Sequence, residues 1–526
     1  MIYESPHPPV DIPDVPLADF VLAGAAARGE RPALVDAVSG RTLTYAGLDA
    51  LARGVGSGLQ RRGLEPGQVV GILAPNVPEY AAAFFGVALA GGTNTTINGL
   101  YTEAEIAHQL RSSRARFLLT VSALLDRALP AAASAGIETV FSFDGGEDTI
   151  ALADMLGPPG ELRSAPIDPA TALVALPYSS GTTGLPKGVM LTHRNLVANV
   201  VQTLAVVPGG DEVIAGILPF FHIYGQTAVM NCALRAGDTV ITMPRFDFEA
   251  FLQMIAEHRV TRAFVAPPII VALSKHPAVE RYDLSSLRMI NSGAAPLGDD
   301  LEAACRARVP ARLQQGYGLT EASPVTHITP LREEHRPGTI GQLIPNTEAR
   351  LVKVGTREDA ASGEPGEIWV RGPQVMTGYL DDPAATARTL AADGWLRTGD
   401  IATFRAGGWR IVDRLKELIK YKGYQVAPAM LEALLLTHPA VADACVIPVA
   451  DEDAGEIPKA FVVARGELTG DELMAYVAER VAPHERIRAV ELIDEIPKSA
   501  SGKLLRRVLV QRERAKVAAD RAAPRP

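Results

Sequence analysis

Tyr178-Ser-Ser-Gly-Thr-Thr-Gly-Leu-Pro-Lys187-Gly188 is the stretch on which the reading of this chain turns. It follows an apolar run, Ala172 to Pro177, that reads as a buried strand, and it precedes a helix-like run from Thr192 to Thr203. Glycines let a backbone approach a phosphate chain closely, while Ser and Thr hydroxyls and amide N–H groups supply donors around it. A plain Ser/Gly surface loop has the same composition, but the preceding strand, the Pro-Lys ending and the following helix favour a polyphosphate cradle. It is not a Walker A loop, because the lysine precedes Gly188 and no Ser or Thr follows it.

Outward from the loop, the text alternates strand-like and helix-like runs. Val69 to Ala74 and Arg116 to Thr120 read as strands; Val77 to Leu89 and Thr102 to Ser112 read as helices. Such alternation predicts a mainly parallel sheet with helices on its faces. An internal echo predicts two related halves. Gly71-Ile-Leu-Ala-Pro75 resembles Gly216-Ile-Leu-Pro219, and Ala88-Leu-Ala-Gly-Gly92 resembles Ala233-Leu-Arg-Ala-Gly237, both 145 positions apart. Ligands in such sheets sit near the C-terminal ends of strands, where the connections diverge.

From about Gly338 the character changes. Glu367 to Gly372 and Gly408 to Asp413 look like strands of an antiparallel region, and Asp413 to Gly423 packs charge into a turn. A small α+β pattern follows: a helix from Pro428 to Leu436, strands at Val441 to Val449 and Ala460 to Ala464, a helix from Thr469 to Ala482 and a strand from Ile487 to Ile493. This predicts a C-terminal domain of about 110 residues.

Length and composition bound the function. A chain of 526 residues exceeds one ordinary core, and 47% apolar residues describe a globular protein. The net charge of −9 argues against a nucleic-acid partner. Lys503, Arg506, Arg507, Arg512 and Arg514 read as a solvated terminal helix. Cys232, Cys305 and Cys445 are odd in number and sit among apolar residues, which predicts core thiols in a reducing compartment. No apolar segment reaches the roughly 18 residues of a membrane span. Glu4, Asp11 and Asp14 among prolines are unlike a signal peptide, so a cytoplasmic location is expected.

Four further patches are too polar or glycine-rich for ordinary core. Gln314-Gln-Gly-Tyr-Gly-Leu-Thr-Glu321 sets a ring between glycines, then a hydroxyl and a carboxylate. The ring can stack on a base and Glu321 can hold magnesium, although a capped helix start would use the same Thr320 and Glu321. Trp395-Leu-Arg-Thr-Gly-Asp400 ends a strand-like run on an acid suited to a ribose diol. His222 lies in an aromatic cluster, Leu218-Pro-Phe-Phe-His222-Ile-Tyr224-Gly225, where a satisfied core histidine is the ordinary reading. Pro497-Lys-Ser-Ala-Ser-Gly-Lys503 is a Gly/Ser turn ending in a point cation suited to developing phosphate charge.

Taken in order, these strings resemble the acyl-adenylate-forming superfamily of acyl-CoA synthetases, adenylation domains and beetle luciferases, over roughly Leu34 to Arg507. Ser179-Ser-Gly-Thr-Thr-Gly-Leu-Pro-Lys-Gly-Val189 and Gln315 to Glu321 carry that signal. Asp413-Arg-Leu-Lys-Glu-Leu-Ile-Lys-Tyr-Lys-Gly-Tyr-Gln-Val-Ala-Pro428 adds a closer likeness to 4-coumarate–CoA ligases. The resemblance implies a large N-terminal domain over residues 1–414, with two related sheets and an antiparallel region. It implies a small mobile α+β domain over residues 415–526, swinging about a hinge near Lys416. It further implies that Mg-ATP and a carboxylic acid give an acyl-adenylate, from which coenzyme A displaces AMP.

Mapped by that resemblance, Ser179, Ser180, Gly181, Thr182, Thr183, Gly184 and Lys187 would bind the ATP phosphates. Thr320 would contact the α-phosphate and Glu321 the magnesium ion. Gln315, Gly316 and Tyr317 would line the adenine, while Asp400 and Arg414 would take the ribose. Lys503 would bridge carboxylate and α-phosphate; Lys416, Lys420 and Gln425 complete the nucleotide set. Lys420 and His222 would serve the thioester step, with Arg245, Lys422 and Gly423 contacting coenzyme A. The acyl pocket would comprise Ile223, Tyr224, Ala228, Asn291, Ala294, Gly316, Gly318, Pro324, Val325 and Thr326. Asn291 and Thr326 make that pocket more polar than plant enzymes of this kind, which keeps cinnamate, benzoate and medium-chain fatty acids open beside 4-coumarate. A carrier protein is the alternative acyl acceptor; a luciferase-like oxygenase and a mere AMP-holding protein are disfavoured, the latter by the presence of both Lys503 and Glu321.

Overall fold

The computed structural model describes residues 1–179, 186–331, 336–405, 408–422, 424–451, 453–499 and 502–522, with side chains to 516 in the last segment. Among these residues lie two nine-stranded sheets and two five-stranded ones. The strand Val69–Leu73 pairs in parallel with Thr93–Thr96 on one side and Ala115–Thr120 on the other, and Val140–Ser142 follows outside the latter. In the second sheet Val213–Gly216 is flanked by Thr239–Thr242 and Arg262–Val265, with Met289–Ser292 beyond. Strand order and direction are the same in both, so the echo read in the sequence is a repeat of topology.

The repeat has one local departure. The helix Pro78–Leu89 of the first half is α-helical, whereas its counterpart begins as a π-helix, Tyr224–Asn231, and only then continues as Cys232–Ala236. Both end against a glycine in the left-handed region, Gly91 at φ 85° and Gly237 at φ 94°. The structural match of these glycines is offset by one residue from the textual match. Glycine terminates a helix here because a Cβ would be strained at that φ.

Asn76, just after the echo motif, stitches the halves together. Its amide nitrogen donates to the carbonyls of Gly216 and Leu218, both at 2.8 Å, and its oxygen accepts from Phe220 N–H at 2.8 Å. Tyr80 packs on Phe220 beside it, with ring centroids 5.7 Å apart. A buried amide with these bonds fixes the crossing of two sheet edges more tightly than apolar contact alone.

The antiparallel region is a sheet of Tyr3–Glu4, Glu348–Val352, Gly366–Arg371, Leu396–Arg405 and Gly408–Arg414. Asp400 therefore lies within a strand, not at the end of one, opposite Arg414. The C-terminal unit joins Ile419–Tyr421, Tyr424–Val426, Val441–Asp451, Gly455–Ala464 and Ala489–Leu492, with helices Pro428–Thr437, Gly470–Ala478 and Arg506–Ala522. The helix expected to reach Ala482 stops at Ala478; Pro483 disfavours helical geometry in the residue before it. The strand expected to begin at Ala460 begins at Gly455, where hairpin pairing with Val441–Asp451 extends it.

The C-terminal helix is not wholly solvated, which corrects one expectation. Arg506 is half-buried between Glu417 and Glu432 and pairs with both. Burial pushes the Glu432 carboxyl up to about 7, against the pull of Arg506. Nearby, the helix Pro428–Thr437 has no side-chain cap from its own Ala427; Asp413, on the strand before the connecting turn, accepts from Ala429 N–H at 2.9 Å instead. Cys232, Cys305 and Cys445 are buried and free, as expected. Among the described residues, no helix is long and apolar enough to cross a membrane.

Candidate active site

The strand Lys187–Thr192 leaves the glycine-rich loop and pairs with Gly378–Tyr379. That pairing brings three distant segments together. Ser179 Oγ donates to Glu321 Oε1 at 3.1 Å, and the Tyr379 hydroxyl donates to the same oxygen at 2.8 Å. Lys187 pairs with Asp382 at 2.9 Å and stands 5.5 Å from the Tyr379 ring centroid. Ser180, Gly181, Thr182, Thr183 and Gly184 lie outside the described residues. Thr320–Ala322 is a single 3-10 turn after Leu319, without a side-chain cap, so the capped α-helix alternative does not hold.

On the nucleoside side, Tyr317 and Asp400 meet across two sheets. The Tyr317 hydroxyl donates to Asp400 Oδ2 at 2.6 Å, while Arg414 Nε approaches Oδ1 at 3.3 Å. Burial, then the Asp400 charge, holds the Tyr317 phenol well above its usual range, so it stays a donor. Gln315 turns its amide to Glu302 and the Leu297 carbonyl, at 3.3 and 3.4 Å. Gly316 and Tyr317 are half-buried and Gly318 is exposed. A Cβ on Gly318 would lie 2.1 Å from the Pro324 carbonyl oxygen, so the strand and its return hairpin can only pass this closely with glycine there.

Lys503 joins this group from the C-terminal unit. Gly502 packs its backbone on Ala266 and Pro268, with an added Cβ only 3.0 Å from the Ala266 methyl. Lys503 N–H donates to Ser499 Oγ at 3.1 Å, closing the turn. Burial, and then the Arg414 guanidinium, lower the Lys503 ammonium to about 8, with Glu417, Asp400 and Glu321 pulling the other way. Ala500 and Ser501 lie outside the described residues. Burial, with a contribution from Lys503, lowers His222 to about 4. Its Nδ1 accepts from Tyr224 N–H at 3.2 Å, which leaves the proton of a neutral ring on Nε2.

Beyond His222, the Tyr224 hydroxyl donates to Asn291 Oδ1 at 3.0 Å and its ring meets Phe264 edge-on. Asn291 is 1% exposed, and its Nδ2 has no partner among the described residues. Thr326 Oγ1 shares a 2.9 Å bond with His327 Nδ1. Ile223, Ala228 and Val325 are buried nearby, and Pro324 stands between Ser323 and Val325 on the return from Gly318. Ala294 is exposed at φ 73°, an unusual conformation for a residue with a Cβ.

Not all of the mapped residues converge here. Lys416, Lys420, Lys422 and Gln425 are exposed, on or beside the hairpin Ile419–Tyr421 and Tyr424–Val426, and Lys422 adopts φ 46°. Arg245 is exposed as well, and Gly423 lies outside the described residues.

The AMP-binding enzyme family model matches residues 22–380, and the AMP-binding enzyme C-terminal domain model matches residues 430–503. The chain belongs to the AMP-binding enzyme family. The relatives of this AMP-binding enzyme include 4-coumarate–CoA ligase 2 of Petroselinum crispum, 42% identical, covering 98% of this chain and 97% of the relative. They also include 4-coumarate–CoA ligase 5 of Oryza sativa subsp. japonica, 43% identical, covering 98% of each. Among solved structures, ATP-bound MatB from Rhodopseudomonas palustris is similar at a TM-score of 0.85 and 27% identity, covering 95% of this chain and 99% of that one. The apo form of that protein scores 0.74, so the arrangement here is nearer to the ATP-bound form.

Sequence reading assigns no role to Tyr379, Asp382 or Glu432, nor to Asp413 and Glu417 within the quoted Asp413 to Pro428 string. One local signal pointed to Asp382: an Asp-Pro pair at a helix start, where Asp382 indeed caps Ala385 N–H at 2.8 Å. The others carry no local signal, because their partners are far away in the chain.

Proposed function

We propose that this AMP-forming ligase converts an aromatic carboxylic acid of the cinnamate type, 4-coumarate foremost, into its coenzyme A thioester. The observation that carries the reading is the convergence of Tyr317 with the Asp400–Arg414 pair, and of Ser179 and Tyr379 on Glu321, groups that stand far apart in the chain. In the first half-reaction an acid oxygen attacks the α-phosphorus, the bond to the bridging oxygen breaks, and pyrophosphate leaves. Tyr317 and the Asp400–Arg414 pair hold the nucleoside. Thr320 and Lys503 meet the charge that develops on the α-phosphate oxygens, and fixed donors at that place lower the barrier. Ser179, with its loop, and Lys187 hold the leaving pyrophosphate.

Glu321 fits a magnesium ion bound mainly by phosphate oxygens and water. It offers one carboxylate, and among the described residues no cluster of three His, Cys, Asp or Glu side chains forms a cage. Magnesium would supply charge neutralisation at the bridging phosphates.

In the second half-reaction the coenzyme A sulfur attacks the acyl carbon, the bond to AMP oxygen breaks, and the thiol proton passes to solvent. Residues 1–414 and 415–526 act as two domains pivoting near Lys416, so that the Lys420 to Gln425 face replaces Lys503. Arg245 and Lys422 meet coenzyme A, and neutral His222 guards the path to the acyl carbon. Tyr224 and Phe264 offer ring faces to a flat acid, and Asn291 Nδ2, without a partner among the described residues, is a donor for a ring oxygen. Benzoates and medium-chain acids, or a carrier protein as acceptor, are the competing outcomes.

An ATP–pyrophosphate exchange panel over hydroxycinnamates, benzoates and fatty acids tests the acid. Thioester detection with coenzyme A or a holo carrier protein tests the acceptor. Exchange with 4-coumarate and thioester with free coenzyme A are expected; exchange confined to alkyl acids would overturn the acid assignment.

A further inference from the structure

We propose that Tyr379 is a positioning residue that sets both the Glu321 carboxylate and the Lys187 ammonium for the polyphosphate, an inference that rests on the ligase reading. Its hydroxyl bond at 2.8 Å and that of Ser179 at 3.1 Å both fall on Glu321 Oε1. Among the described residues, no hydrogen bond falls on Oε2, which leaves that oxygen as the one presented to a hard cation. The same ring lies 5.5 Å below the Lys187 ammonium, and Asp382, three residues on, pairs with that ammonium at 2.9 Å. One short segment thus holds a carboxylate with its edge and a cation with its face.

The backbone keeps this bracket in place. Met376 N–H donates to the Glu321 carbonyl at 2.9 Å, and Leu380 N–H to the Gly188 carbonyl at 2.9 Å. Tyr379 N–H donates to Thr386 Oγ1 at 2.9 Å, and Tyr379 sits opposite Val189 in the antiparallel pair. Segments carrying Glu321 and Lys187 are each tied to residues 376–380 independently of the ring. The phenol therefore has few degrees of freedom, which is the condition under which an outer partner orients a ligating carboxylate.

The test is calorimetric binding of a non-hydrolysable ATP analogue, with and without magnesium, to the full chain and its variants. Tyr379→Phe keeps the ring and removes the hydroxyl. It is expected to weaken the magnesium-dependent part of binding by about 10-fold, while magnesium-free binding stays within about twofold. Tyr379→Leu, which also removes the face under Lys187, is expected to weaken magnesium-free binding as well. In a Glu321→Gln background, Tyr379→Phe is expected to cost nothing further, because both changes act through one carboxylate. Pyrophosphate exchange by Tyr379→Phe should need correspondingly more magnesium, with thioester transfer from supplied adenylate unchanged. Unchanged magnesium dependence in Tyr379→Phe, or losses that add in the double variant, would overturn the inference and leave the ligase reading standing. Failure of the unaltered protein to bind the analogue with magnesium would overturn both.

Discussion

Two lysines of the C-terminal unit are held in opposite ways. Lys503 is partly buried within electrostatic reach of Arg414, Asp400 and Glu321, with its ammonium lowered to about 8 by burial and then by Arg414. Lys420 stands exposed on Ile419–Tyr421, opposite Gln425, with its backbone N–H donating to Glu456 at 2.8 Å. The difference is what the proposed pair of working faces requires, with the face displayed here being the one that would serve phosphate chemistry.

The sharpest way to break this contrast is Lys503→Ala. Adenylation, measured by pyrophosphate exchange, is expected to fall by about 10²–10³-fold, the usual cost of removing one charge-stabilising donor. Transfer from a supplied adenylate should survive; equal loss in both assays would erase the distinction between the faces. Arg506→Ala attacks what anchors the inward face. It strands Glu417 and Glu432, whose partner is gone, and is expected to cost about 3–5 kcal/mol in denaturant unfolding of the C-terminal unit. Stability within about 0.5 kcal/mol of the parent would show that the network is ornamental.

Lys420→Ala probes the outward face. Thioester transfer from supplied adenylate is expected to slow by about 10-fold, as for loss of one charge-assisted hydrogen bond, with adenylation changed less. The reverse pattern would place Lys420 in the first half-reaction. The smallest effect is in pH. Lys503 must be cationic to meet the α-phosphate, and its lowered value means the proton is lost as pH rises through about 8. Free-enzyme adenylation, read as kcat/KM, should therefore decline about tenfold per pH unit above that point. Transfer from supplied adenylate should lack this limb if, as proposed, Lys503 serves adenylation alone.

Much of this was legible in the sequence for physical reasons. Strand and helix periodicities are local, so Val69–Leu73, Pro78–Leu89 and the C-terminal α+β order were readable. The Ser179, Glu321, Asp400 and Lys503 strings were readable because glycine and hydroxyl chemistry concentrates in short turns. Arg506 was misread because its meaning depends on Glu417 and Glu432, which no periodicity connects to it. Tyr379 was overlooked because one aromatic in an ordinary turn becomes informative only when Glu321 and Lys187 arrive from elsewhere. The π-helix at Tyr224–Asn231 left no trace, since its residues fit α-helical text equally well.

Asp413 lends the helix Pro428–Thr437 the cap that Ala427 does not supply. Donor and borrower stand on opposite sides of the proposed pivot at Lys416. An N-cap is worth about 0.5–2 kcal/mol, and this one closes a helix start that is buried at Ala427 and Pro428. On the proposed pivot, a bond of that size would bias the resting population toward the arrangement in which it is made. A cap borrowed across a pivot turns an ordinary helix start into a thermodynamic detent.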